Sequence, residues 1–268
     1  VWNTYFQENR DDEDANNDSI SLSLFENGEL SKQELKVVKI DDGTIHNINP
    51  SELLFLGKLD DGTIVCAERR PSRYFDGYLI KYTPDAIYPD NLWYLTCYDS
   101  EGTLISFTHL YDIDKDIGDA SVSLSSLNFF LSTDGTVYIF THVYESSGES
   151  YVVAMTPTGE VKSSFRLKDV CPDYASGNIA FDSVREDMNG NICAVFCGKD
   201  IEYGFNRYEF CRYDDLVNGK EYKPTKFRQD FGEGSLVAFS DKEAYFKTIY
   251  GINRETVGEE GYDQILNW

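Results

Sequence analysis

The sequence predicts an all-β chain built from repeated four-stranded antiparallel units, and three observations carry that prediction. Short apolar runs break at a glycine and resume at once, as in Leu59-Asp60-Asp61-Gly62-Thr63-Ile64-Val65, Ser100-Glu101-Gly102-Thr103-Leu104-Ile105, Thr133-Asp134-Gly135-Thr136-Val137-Tyr138 and Met188-Asn189-Gly190-Asn191-Ile192. Glycine accepts the positive φ of a tight hairpin, and Asp or Asn before it tolerates turn geometry. The breaks also recur: Gly102 to Gly159, and Gly135 to Gly190, are each about 55 residues apart, a period that marks one supersecondary unit used repeatedly. Helical periodicity is nearly absent, with Lys32 to Val38 the one stretch that propensity would allow as a helix.

Taken in order, the N-terminal stretch carries a partial unit, Ser21 to Phe25, a turn at Asn27-Gly28, then Leu35 to Ile40. The acidic run Asp11 to Asp18 before it reads as a solvated loop, so residues 1–20 form an acidic N-terminal segment of a single domain spanning 1–268. Strands are expected at Leu53 to Lys58, Ile64 to Glu68, Leu92 to Tyr98, Leu104 to Thr108, Phe129 to Ser132, Val137 to His142 and Tyr151 to Thr156, where β-branched and aromatic residues alternate between turn signals. First hairpins turn at Asp61-Gly62, Asp134-Gly135 and Asn189-Gly190, second hairpins at Glu101-Gly102, Thr158-Gly159 and Asn218-Gly219. A last, degenerate unit comprises Leu236 to Phe239, a turn near Asp241-Lys242, Tyr245 to Tyr250 and Tyr262 to Trp268. Repeated four-stranded units of this kind predict a β-propeller, most simply of five blades, with a composite blade from both termini closing the exposed sheet edge.

The patterns Asp61-Gly62-Thr63-Ile64 and Asp134-Gly135-Thr136-Val137-Tyr138 resemble those of bacterial β-propeller repeat proteins, loosely the NHL and quinoprotein-like repeats. The ending, Tyr250-Gly251-Ile252-Asn253 through Gln264-Ile265-Leu266-Asn267-Trp268, is similar to the N-terminal propeller segment of secreted solute-binding lipoproteins of gut Firmicutes. That resemblance implies an extracellular or cell-surface anchored protein whose export signal has been removed; the chain here starts at Val1. No binding-protein lobe follows in this sequence, so a transport role is not implied.

Composition narrows the function classes. The 268 residues hold 47 acidic against 24 basic side chains, a formal charge of -23, while hydrophobic residues at 41% are enough for a folded core. Such a charge repels phosphate backbones and anionic lipid surfaces, which excludes nucleic acid as a partner and membrane insertion of this segment. No run reaches the ~18 apolar residues of a membrane helix. Six cysteines contain no CxxC pair, and Cys193 and Cys197 lie about 13 Å apart along a strand, so free buried thiols at repeated core positions are expected.

Catalytic motifs are missing: no GxSxG, HExxH, P-loop or strand-following GxGxxG occurs, and His46, His109 and His142 are scattered. No resident cofactor is therefore expected. Calcium is the one cation the sequence suits, because Asp112, Asp114 and Asp116 alternate in a loop as hard-cation ligands do, although the glycine and twelfth residue depart from an EF-hand. Arg69, Arg70 and Arg73, followed by Tyr74 and Phe75, open the longest insertion and suit either a carboxylate or sugar ligand or a loop anchored by salt bridges.

Two function classes follow. One is a non-catalytic extracellular binding or interaction module, monomeric, taking a small glycan, a peptide or another surface protein. The other is a carbohydrate-active hydrolase using carboxylates in a propeller funnel. The connections between second and third strands, and between units, are long and aromatic: Arg69 to Asn91, His109 to Ser125, Tyr144 to Ser150, Lys168 to Gly177, Lys199 to Phe205 and Gly251 to Gly261. They emerge opposite the glycine turns, so Arg69, Arg73, Tyr74, Tyr111, Tyr144, Asp173, Tyr174 and Tyr203 are expected to share one ligand-binding face.

Overall fold

The computed structural model describes residues 5–7, 19–26, 29–36, 53–71, 91–110, 127–141, 150–171, 179–199, 206–229, 234–258 and 261–267. Alternating apolar and polar residues fold into strands that run in sequence order through five antiparallel sheets. The first is three-stranded, β1 (Tyr5–Gln7), β2 (Ser19–Glu26) and β3 (Glu29–Lys36). Four four-stranded sheets follow. They are β4 (Leu53–Lys58) to β7 (Leu104–His109) through β5 (Ile64–Pro71) and β6 (Asn91–Tyr98), and β8 (Leu127–Leu131) to β11 (Val161–Arg166) through β9 (Val137–Thr141) and β10 (Tyr151–Met155). Next come β12 (Ile179–Glu186), β13 (Ile192–Lys199), β14 (Asn206–Arg212) and β15 (Thr225–Gln229), then β16 (Ser235–Phe239), β17 (Glu243–Thr248), β18 (Gly251–Thr256) and β19 (Asp263–Asn267). Helix is confined, among the described residues, to Leu167–Val170 and Tyr213–Val217.

The recurring hairpin is a three-residue loop. Leu59, Asp99, Thr156 and Asp187 each donate their N–H to the carbonyl four residues on, and the glycine N–H returns to the first carbonyl. That is a tight turn whose last loop position is left-handed, which explains why glycine recurs there. Side chains lock it: Asp187 Oδ1 accepts from the N–H groups of Asn189 and Asn191, both at 2.8 Å, and Asp99 Oδ1 does the same for Glu101 and Thr103. At Gly102 (φ +79°) a Cβ would also lie 1.6 Å from the Glu34 carbonyl oxygen, so no side chain fits.

A second recurring device has no sequence signature. The first strand carries one extra residue against the second in three sheets, at Leu56, Asp182 and Val237. Such bulges bend the strand and raise its twist.

Two compact units emerge, one of Val1–Ser125 with Gly135–Val137 and Met155–Val161, the other of Ser126–Asp134, Tyr138–Ala154 and Lys162–Trp268. In the first, Leu22 and Leu35 pack with Leu53, Phe55, Ile64, Cys66 and Tyr98, so the three-stranded sheet shares a core with β4–β6. In the second, one cluster joins Tyr138, Phe140 and Val152 to Phe181, Phe196 and Tyr213, and another joins Val195, Phe210 and Phe227 to Leu236, Phe239 and Phe246. Each cluster couples one sheet to the next in sequence.

Several expectations are corrected. Lys32 to Lys36 is strand, because Leu35 is drawn into the core whatever the helical propensity of its neighbours. The acidic run Asp11 to Asp18 lies outside the described residues, with β1 before it and β2 after it. The last unit is complete, since Gly251 to Thr256 is β18 and not part of a long connection. All six cysteines are free thiols, and Cys66 and Cys193, which each follow a first-hairpin glycine, take different faces. Cys193 stands one position nearer its turn glycine, and the pleat sends it to the opposite sheet face.

Candidate functional site

Of the residues expected on a ligand face, Arg69 is placed on β5, where it pairs with Trp93 of β6, and Arg70 pairs with Leu92. Both are strand residues, and the insertion starts after Pro71. Arg73, Tyr74, Tyr111, Tyr144, Asp173, Tyr174 and Tyr203 lie outside the described residues, as do Asp112, Asp114 and Asp116. Among the described residues no three His, Cys, Asp or Glu side chains are grouped to hold a metal, and no helix is long and apolar enough to cross a membrane.

In each of the three sheets from β4 to β15 the second and third strands are joined at the end opposite the first-hairpin glycine. β5 and β6 are joined by 72–90, β9 and β10 by 142–150, and β13 and β14 by 200–205. The final sheet departs from this, because β17 and β18 are joined by Ile249-Tyr250 alone, and both side chains are exposed. Thr248 fixes that turn, its Oγ1 accepting the Tyr250 N–H at 3.1 Å and donating to the Gly251 carbonyl at 3.3 Å.

Three carboxylates are buried among the described residues, Glu68, Glu209 and Glu255. Glu68 interrupts the apolar run of β5 and stands on the same face as Cys66. Its Oε1 accepts hydroxyl hydrogen bonds from Thr96 at 3.0 Å and Tyr98 at 2.5 Å, both from β6. Burial, with the Glu68 carboxylate as second cause, pushes the Cys66 thiol well up, so it is no nucleophile at neutral pH.

Glu209 is 0% exposed in the middle of β14, between Tyr208 and Phe210. Arg207 Nε lies 2.9 Å and Lys226 Nζ 3.2 Å from its Oε1, while Tyr222 donates its hydroxyl to Oε2 at 2.7 Å. Burial, then that bond to Glu209, drives the Tyr222 phenol far above its ordinary value. A carboxylate held this way is compensated in place, and its geometry is that of a fold constraint with a solvent-facing cationic rim. Neither buried glutamate was legible as special, since charge abundance hides it; the signal was a charge inside an alternating apolar run, as in Tyr208-Glu209-Phe210.

The buried face of β18 is Gly251, Asn253 and Glu255, and the Asn253 Oδ1 is buried without a hydrogen-bond partner. Elsewhere in that sheet Arg254 bonds Asp263 at 2.6 Å across to β19.

No family model matches this chain, and no curated protein matches it. A solved structure from a structural and mechanistic study of two prolyl endopeptidases, concerned with inter-domain dynamics in catalysis and specificity, aligns over 93% of this chain at 9% identity with a TM-score of 0.41. The aligned part is 34% of that chain, so this protein spans about a third of its length.

Proposed function

We propose that the chain is a non-catalytic binding module, its five sheets serving as blades of a five-bladed propeller and its long connections as the ligand-binding face. The observation that carries this reading is the asymmetry of the sheets. In the sheets β4–β7 and β8–β11 one end is closed by minimal glycine turns, and the other bears connections rich in Tyr, Arg and Asp. Loops on a rigid scaffold are where recognition collects, and Tyr rings supply apolar area while Arg and Asp orient a polar ligand. Shared cores between successive sheets and the repeated first-strand bulge support the blade assignment. Composite closure would call on residues outside those described, since no described strand joins the first sheet to the last.

In this reading Glu68 and Glu209 serve the fold, each bound by donors of its own sheet, which disfavours the hydrolase alternative. The ligand is a small glycan or peptide, or a segment of another surface protein, and the module acts as a monomer at the outside of the cell. The placement rests on the resemblance of the ending from Tyr250 to Trp268. Glycan and peptide arrays probed with the purified chain test the reading. A single ligand class retained after washing is the expected result, and hydrolysis of any arrayed glycan would replace the module with the enzyme.

A further inference from the structure

Exposed large hydrophobic side chains, scattered singly in the other sheets, gather in the last one, at Val237, Ile249, Tyr250, Val257, Ile265 and Leu266. Four of them meet at one corner. Gly251 pairs with Asn267 and Ile252 with Leu266, so the Ile249-Tyr250 turn abuts the C-terminal end of β19. The approach is close, since a Cβ at Gly251 would lie 1.6 Å from the Leu266 carbonyl oxygen. Ile249 is 80% and Tyr250 70% exposed, with Ile265 at 51% and Leu266 at 47%. The turn that presents the first two is fixed: Thr248 Oγ1 bonds both of its flanks, and Gln264 of β19 donates from Nε2 to the Tyr250 carbonyl at 3.5 Å. It joins the second and third strands of its sheet, as 72–90, 142–150 and 200–205 do in theirs. That makes it the counterpart of the connections assigned to the ligand face.

We propose that this corner docks an extended segment of a partner protein, cationic and carrying apolar side chains. Aliphatic Ile249, Ile265 and Leu266 around one tyrosine suit apolar side chains, whereas a sugar calls for ring platforms and converging polar groups. Charge selects the sign, because a chain of net charge -23 attracts lysine or arginine between those apolar residues and repels an acidic segment. A second copy brings the same -23, and a two-residue turn beside a five-residue strand falls well short of the ~800 Å² per partner of a standard interface. Side chains carry the recognition. At Ile265 β19 holds one residue more than β18, and such a bulge interrupts the free edge as a template for a continuous added strand. The inference deepens the binding-module reading and rests on it.

The test is fluorescence anisotropy of the full chain with three labelled hexapeptides: alternating Lys-Leu, all-Lys and alternating Glu-Leu. Saturable binding of the Lys-Leu peptide is expected, about tenfold tighter than all-Lys, with none for Glu-Leu. Tyr250→Ala and Leu266→Ser should each weaken it about fivefold or more, while Ile105→Ser, which alters an exposed apolar residue of another sheet, should leave it unchanged. Tyr250→Ala leaves the Thr248 bonds in place, so it serves even if Leu266→Ser frays β19. Equal affinity for Lys-Leu and all-Lys, or wild-type affinity in both variants of the corner, would overturn the proposal. Self-association in sedimentation that Leu266→Ser abolishes would give the corner to a second copy and overturn it equally. A ligand retained on the arrays that binds Tyr250→Ala with wild-type affinity removes the corner and leaves the module. Hydrolysis of an arrayed glycan beside intact Lys-Leu binding removes the non-catalytic reading and leaves the corner.

Discussion

Tyr98 donates its phenolic hydrogen to Glu68 Oε1 at 2.5 Å, from the neighbouring strand and from within the same apolar cluster as Leu22 and Leu35. A buried carboxylate needs such donors, since losing one leaves the desolvation of the acid uncompensated. Tyr98→Phe keeps the ring packing and removes only the hydroxyl. It should lower stability by about 1–3 kcal/mol in urea titrations, and an unchanged midpoint would show that Thr96 suffices.

Gly102 closes a hairpin and Gly219 follows the Tyr213–Val217 helix; both have positive φ but differ in surroundings. A Cβ at Gly102 meets the Glu34 carbonyl oxygen at 1.6 Å, whereas at Gly219 nothing lies within 4 Å. Gly219→Ala should therefore cost only the left-handed strain, about 1–2 kcal/mol. Gly102→Ala adds a backbone displacement and should cost clearly more in the same measurement. Equal losses would mean that the Gly102 turn moves freely away from β3.

How much of this was legible can be judged from β18. The glycine-led hairpins were read from sequence because φ is a local demand that few residues meet, and the strands beside them alternate cleanly. Gly251-Ile252-Asn253-Arg254-Glu255-Thr256 inverts the alternation, with Asn253 and Glu255 buried and Ile252 only half-buried, so its pattern reads as loop. Burial of Asn253 and Glu255 is a tertiary decision that no window of sequence contains. Arg69 shows the same limit, since only its pairing with Trp93 extends β5 past the point where apolar character ends. The bulges at Leu56, Asp182 and Val237 are register events without a residue signature.

Burial raises the Cys193 thiol to about 12 and the Cys211 thiol to about 11, from an ordinary 9.0. Between those values the unfolded chain loses protons that the folded chain keeps, so unfolding is favoured as pH rises. Stability should be level up to about pH 8 and fall as pH rises from about 9 toward 11 and 12. Urea midpoints across that range check it, and Cys193→Ala should flatten the decline.

Removing the Glu209 carboxylate strands two cations over an apolar interior. Glu209→Gln should cost about 3–5 kcal/mol, the loss typical of breaking one side of a buried ion pair. Arg207→Gln and Glu209→Gln together should lose less than the sum of the singles, which a double-mutant cycle measures.

For the proposed ligand face, Tyr74→Ala or Tyr174→Ala should weaken a ligand found on the arrays by about 1–2 kcal/mol. Substitutions at the glycine turns should leave affinity unchanged in the fraction that folds. Wild-type affinity in both tyrosine variants would move the site to another face.

The outermost strand β19 is exposed at every one of its five residues, on both of its faces. It adheres through backbone bonds to β18 and the Arg254–Asp263 ion pair, with no side chain committed to a core. Such a segment opens at little free-energy cost and independently of global unfolding. Its amides should exchange with deuterium long before those of β13 and β17, which makes the C-terminal edge the first cooperative layer to peel away under load. A tether pulling from that side would spend its force on one strand before it reached the packed sheets.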